Sequence, residues 1–205
     1  MHHHTTDPTF LRICAIIGAL GVLAMLAGNV IGTIVVPGHD PMADTISDLA
    51  AGRYEIIQDI ALYGYAAGFF ALALGLSNIH TRDRRWTLGI FAIALMAACL
   101  TVIGARNEYG DGDSSGVVIH IYLVYALGAL LVIAPFALAS GLSRIARGYG
   151  IAARAFGVAW IFAAPVFFVL PTQYDGGYER ALGVLASLWV LSLAHALWTC
   201  AGKHG

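Results

Sequence analysis

Ser47, Asp48, Asp113 and His120 have the side chains needed to activate a hydroxyl nucleophile. His120 follows Asp113 by seven residues, which on a helix puts both on one face about two turns apart. A carboxylate there can orient the imidazole as a general base, and Ser47 offers the hydroxyl for that base to activate. A second set, Arg106, His120, Arg180, Asp48 and Asp59, has the make-up of a polar binding site. A guanidinium fork suits phosphate or carboxylate, as in a lipid headgroup. His39 and His120 with several Asp supply metal-ligating atoms, but no HxxxH or HExxH spacing accompanies them, so no metal is expected. A plainer reading competes at each position. Thr45-Ile46-Ser47-Asp48 has capping-box spacing, and acids near helix starts complement the helix dipole.

These residues sit between apolar runs long enough to cross a membrane. The 205 residues are 59% hydrophobic and 11% charged, with a mean hydropathy of +0.78. Soluble domains carry about 25% charged residues. Six runs, near 11–36, 56–77, 86–105, 116–140, 151–170 and 179–199, reach the length of about 20 residues that spans the hydrocarbon core. They are continuously apolar rather than alternating, which excludes a barrel. The expected fold is all-α, one six-helix membrane bundle over 1–205. No soluble domain and no nucleic-acid-binding surface fits in what remains. The run after Arg12 is too long for a cleaved signal and is read as a retained first helix.

Charge sorts the loops. Arg12, Arg82, Arg84, Arg85, Arg144, Arg147, Arg154 and Lys203 fall on one side, and only Arg53, Arg106 and Arg180 on the other. Ten of the twelve acids, all but Asp7 and Asp83, share the Arg-poor side. The positive-inside rule then places both termini in the cytoplasm and the acidic loops outside. The ten Arg against one Lys, with abundant Ala and Gly, point to a GC-rich bacterial genome, hence a bacterial inner membrane.

Ala24, Gly28 and Gly32 in the first helix and Gly64 and Gly68 in the second have the spacing that lets helix backbones approach, so a tight hairpin is expected. A homo-oligomer seam is the alternative use of those faces. Pro135 and Pro165 should disturb their helices. His195 is expected to hydrogen-bond between helices. It and His120 lie near opposite faces, so they do not form a haem pair and no cofactor is expected. Cys14, Cys99 and Cys200 read as packing residues. A second helix beginning near Asp48 would align Asp48, Gly52, Glu55 and Asp59 on one face. Arg180, in the first turn of the last helix, is disfavoured by dipole and topology alike and is expected to have an acidic partner.

Ile46-Ser47-Asp48-Leu49 after a Pro-Gly-bearing loop, an Asp-containing second loop leading to His120, and Tyr178-Glu179-Arg180 opening the last helix resemble the bacterial family known as domain of unknown function 998. The Ile46-Ser47-Asp48 run is also similar, more weakly, to one in the Frag1/DRAM/Sfk1 membrane proteins. The resemblance implies the six-helix architecture and singles out Ser47, Asp48, His120 and Arg180. It implies no activity. The second loop departs from the pattern in being acidic and Gly-rich. Three functions follow in order: a pocket beneath the outer surface binding membrane lipid headgroups or a small polar ligand; a structural or assembly subunit for an unknown membrane partner; and a membrane-embedded lipid hydrolase using His120, Asp113 and Ser47.

Overall fold

The computed structural model describes residues 7–50, 52–79, 83–105 and 120–204. Six α-helices account for most of them: α1 (Pro8–Val35), α2 (Glu55–Asn78), α3 (Arg84–Ala105), α4 (His120–Ile145), α5 (Arg147–Ala163) and α6 (Asp175–His204). No strand occurs among the described residues. All six are long and apolar enough to cross a membrane, α5 together with the 3-10 segment Ala164–Phe168 that continues it.

α1 and α3 start ahead of their apolar runs because capping, not hydropathy, sets those starts, whereas α5 stops at Ala163, short of the end of its run. Asp7 accepts from Thr9 N (2.9 Å) and Phe10 N (3.2 Å), with Pro8 in the first turn, so α1 starts ahead of residue 11. Asp83 accepts from Arg85 N (2.9 Å) at the head of α3. Pro165 opens the 3-10 segment at the end of α5, whereas Pro135 stays inside α4. The condition under which Asp48 would join the face of Asp59, a helix continuous from Asp48, is not met. The chain instead makes 3-10 turns at Ser47–Ala50 and Gly52–Tyr54, and α2 begins only at Glu55. Asp48 and Asp59 therefore do not share a helical face.

Each helix packs on its neighbour in sequence, and α6 returns to α1, closing a ring whose thinnest seam is α5 against α6. The α1–α2 hairpin is the tightest contact. A Cβ added at Gly21 would stand 2.7 Å from the Gly64 carbonyl and 3.0 Å from the Gly68 Cα. Gly21, one turn before Ala24, was not in the expected set.

The two ends of the ring differ. At the end holding the chain termini, Asp7 N donates to Asn78 Oδ1 (3.2 Å), Lys203 Nζ to the Ile145 carbonyl (2.6 Å), and Arg12 lies over the Trp198 ring. The interior there is filled by Leu76, Trp86, Leu138, Leu142, Leu193 and Leu197, each 3% exposed or less. His195 bonds as expected across helices: Tyr149 Oη lies 2.9 Å from its Nδ1 and 2.8 Å from Thr199 Oγ1. Toward the opposite, loop-bearing end the ring is hollow.

Candidate functional site

The segment between α1 and α2 is held by its own side chains and by the start of α6. Gly38, at φ +76°, turns the chain after Pro37 in a conformation that favours glycine. Asp40 and Asp44 then brace the loop, Asp44 Oδ2 accepting from Asp40 N (2.8 Å) and Asp40 Oδ1 from Met42 N (2.9 Å). Asp48 Oδ2 accepts from both Thr45 N (2.6 Å) and Thr45 Oγ1 (2.8 Å), while Asp48 N donates back to Thr45 Oγ1 (3.3 Å). The capping reading of Asp48 is the one its geometry matches.

The first turn of α6 has backbone N–H groups without partners of their own. Two of them take up this loop: Gly176 N donates to the Ala43 carbonyl (3.3 Å) and Gly177 N to the Met42 carbonyl (2.9 Å). A Cβ on Gly176 would run into the Asp44 carbonyl, so only glycine permits the approach. Arg180 completes the clasp. Its Nη1 donates to the carbonyls of Pro41 (3.0 Å) and Asp44 (2.8 Å), and its Nη2 to His39 Nε2 (2.7 Å). A guanidinium only donates, so His39 accepts through Nε2 and carries its proton on Nδ1, 3.6 Å from Asp44 Oδ2. The expected direct acidic partner of Arg180 is thus replaced by two carbonyls and an imidazole, which reaches a carboxylate one step away. Backbone oxygens satisfy a cation without the cost of bringing a second charge out of water.

Glu179, one residue earlier, points the other way. Its Oε2 accepts from Ile46 N (2.6 Å), fixing the backbone next to Ser47. Ser47 Oγ lies 3.3 Å from His120 Nε2, although the two are 73 residues apart in sequence. Both are half-buried.

Ser47, His120 and Glu179 all line one cavity of about 570 Å³ that runs from the loop end into the middle of the ring. That volume falls within the range of about 300–1,000 Å³ usual for ligand sites. Its remaining wall is mostly apolar, including Leu62, Phe69, Met96, Leu100, Leu131 and Leu182. Tyr125 of α4 and Phe168 of the 3-10 segment, ring centroids 5.3 Å apart, line it while also standing about half exposed, so the cavity reaches the bundle surface beside them.

The site residues read from the sequence are therefore divided. Ser47 and His120 meet. Asp48 is exposed and engaged by Thr45, Arg180 is turned into the loop, and Asp59 lies half-buried in α2 away from the cavity lining. Arg106 and Asp113 lie outside the described residues. Two groups escaped the reading. Glu179 was read only as part of the Tyr178-Glu179-Arg180 run and not as a site residue. Gln58 is 1% exposed in the cavity wall, its Nε2 3.8 Å from Met25 Sδ and its Oε1 without a hydrogen-bond partner among the described residues. A carboxamide one turn into an apolar run was its signal. No group of three His, Cys, Asp or Glu among the described residues is placed to hold a metal.

Residues 19–196 match the profile of a protein family described as Protein of unknown function (DUF998). No curated protein and no solved structure matches the chain.

Proposed function

The chain belongs to the DUF998 family, and on that premise we propose that it is a membrane protein whose bundle holds a lipid, one acyl chain in the cavity and the polar head at the loop end. The observation that carries this reading is the separation of chemistry along the cavity: apolar walls toward the ring's middle, with Ser47, His120 and Glu179 gathered at the loop end. An acyl chain leaving the bilayer for such a wall exchanges one apolar surrounding for another and gains little. Selectivity then comes from the polar end, where donors and an acceptor meet the ligand's ester or head. The half-exposed Tyr125–Phe168 pair marks a side entrance from the lipid.

On the charge asymmetry, both termini face the cytoplasm of a bacterial inner membrane and the loop end faces outward. The lipid head then lies toward the extracytoplasmic leaflet.

The test is native mass spectrometry of the protein purified in mild detergent. Wild type should carry a lipid-sized adduct. Gly183 lines the cavity, and a Cβ there would find its nearest neighbour, Ile46 Cδ1, at 3.9 Å. Gly183→Phe should fill the space and strip the adduct while leaving thermal unfolding nearly unchanged. Equal adduct on both proteins would defeat the reading.

A further inference from the structure

We infer that Ser47 and His120 form a nucleophile and base that cleave an acyl ester of the lipid held in the cavity. The inference rests on the lipid-binding reading and adds a reaction to it. Three observations support it.

The first is the pairing. Ser47 Oγ stands 3.3 Å from His120 Nε2, slightly beyond the span of about 2.6–3.2 Å that such pairs reach when substrate is bound, and ligand-free sites are commonly looser. For Nε2 to accept the hydroxyl proton, the imidazole proton must sit on Nδ1. The second is that Ser47 is free of local duty. Thr45 and Asp48 cap each other in its turn, and Glu179 takes the preceding amide, so the turn's polar needs are met without the Ser47 hydroxyl. Those same bonds hold the turn on both sides of Ser47, which positions its Oγ. The third is location. Ser47 is the one Ser or Thr among the described residues lining the cavity, and it stands where an apolar wall gives way to polar groups. An ester bond is that kind of boundary in a lipid: the acyl chain lies on one side of the carbonyl and the alcohol on the other.

Water is the one reactant needed besides the lipid ester. Ser47 Oγ attacks the ester carbonyl carbon as its proton passes to His120 Nε2. The carbonyl–oxygen bond to the lipid alcohol breaks, and the imidazolium returns that proton to the departing alcohol oxygen. The acyl group is left on Ser47 Oγ. Water from the loop-end aqueous phase, deprotonated by His120, then attacks the acyl-serine and releases the fatty acid, restoring both side chains. The substrate class is an acyl ester with one chain long enough to fill the cavity, a glycerolipid being the natural case in a membrane.

The experiment treats the full-length protein in detergent with a long-chain alkyl fluorophosphonate and reads the intact mass and the modified peptide. A single adduct on Ser47 is expected, absent in Ser47→Ala. His120→Gln should slow its formation by about 100-fold or more. Ser192→Ala, whose hydroxyl bonds the Trp189 carbonyl in the filled half, should react like wild type. Should Ser47→Ala fail to fold, Ser47→Cys serves instead: iodoacetamide should alkylate its thiol faster than the same thiol in a protein that also carries His120→Gln. The protein should also release labelled fatty acid from phospholipid vesicles. Retained lipid without a Ser47 adduct or turnover overturns the ester cleavage and leaves lipid binding standing. A Ser47 adduct on a protein that retains no lipid supports the nucleophile and overturns the occupancy.

Discussion

Arg180 shows how one side chain can be legible in kind and illegible in use. Its position at a helix start and its charge mark it as partnered, but the partners are carbonyls of Pro41 and Asp44 and the His39 imidazole, 136 to 141 residues away. Backbone oxygens leave no trace in a pattern of side chains. Each bond made by an ionised group contributes about 1.5–3 kcal/mol. The three bonds of Arg180 are partly open to solvent, which weakens each, so Arg180→Ala should lower stability by roughly 2–3 kcal/mol in all, read as a drop in the detergent-solubilised unfolding temperature. Arg180→Lys should recover only part of it, since an ammonium cannot reproduce the planar fork. Arg84, exposed at the other end, is the control, and Arg84→Ala should leave unfolding unchanged. If both alanine variants match wild type, the clasp contributes nothing. Ser47 and His120 were legible by type, and their meeting was not, because it depends on where α4 stands relative to a loop 73 residues earlier. Glu179 was legible only as part of a motif: a first-turn acid needs no further explanation, and its bond to Ile46 N exists only once the loop is folded against α6.

Among elements, the six helices were legible because hydrocarbon thickness sets a length that few other constraints impose. Their ends were less so, since Asp7, Asp83 and Pro165 act on hydrogen bonds rather than hydropathy. The start of α2 at Glu55 falls within a residue of its apolar run, and only the conditional extension back to Asp48 fails: 3-10 turns at Ser47–Ala50 and Gly52–Tyr54 give spacings of three that mimic a helical face. The α1–α2 hairpin was anticipated from small residues, and its tightest approach onto opposing backbone lies at Gly21 against Gly64 and Gly68. No side chain can yield there, because the opposing atoms are backbone. Gly21→Ala should cost about 1–3 kcal/mol as overpacking, measurable by denaturation in mixed micelles. Gly148→Ala, with nothing within 4 Å of its added Cβ, should cost nothing. Equal effects at the two positions would mean the hairpin is looser than described.

At the scale of the molecule, six spans return the chain to the side on which it began, and Asp7 and Lys203 stand at one end of the ring. On the orientation proposed from the charge asymmetry, a fusion at the C-terminus should be inactive as a periplasmic enzyme, and one inserted after residue 112 active. An active C-terminal fusion would invert the orientation. The clasp of α6 on the first loop also has a consequence in time. Ile46 leaves the ribosome 133 residues before Glu179. At the usual pace of about 5–20 residues per second, that separation is roughly 7–27 s. Through that interval the loop around Ser47 has its own braces but not its anchors on α6. Closing the ring and setting the loop are then late events of biosynthesis, so a nascent chain halted before the sixth helix carries Ser47 without the α6 contacts that hold its turn.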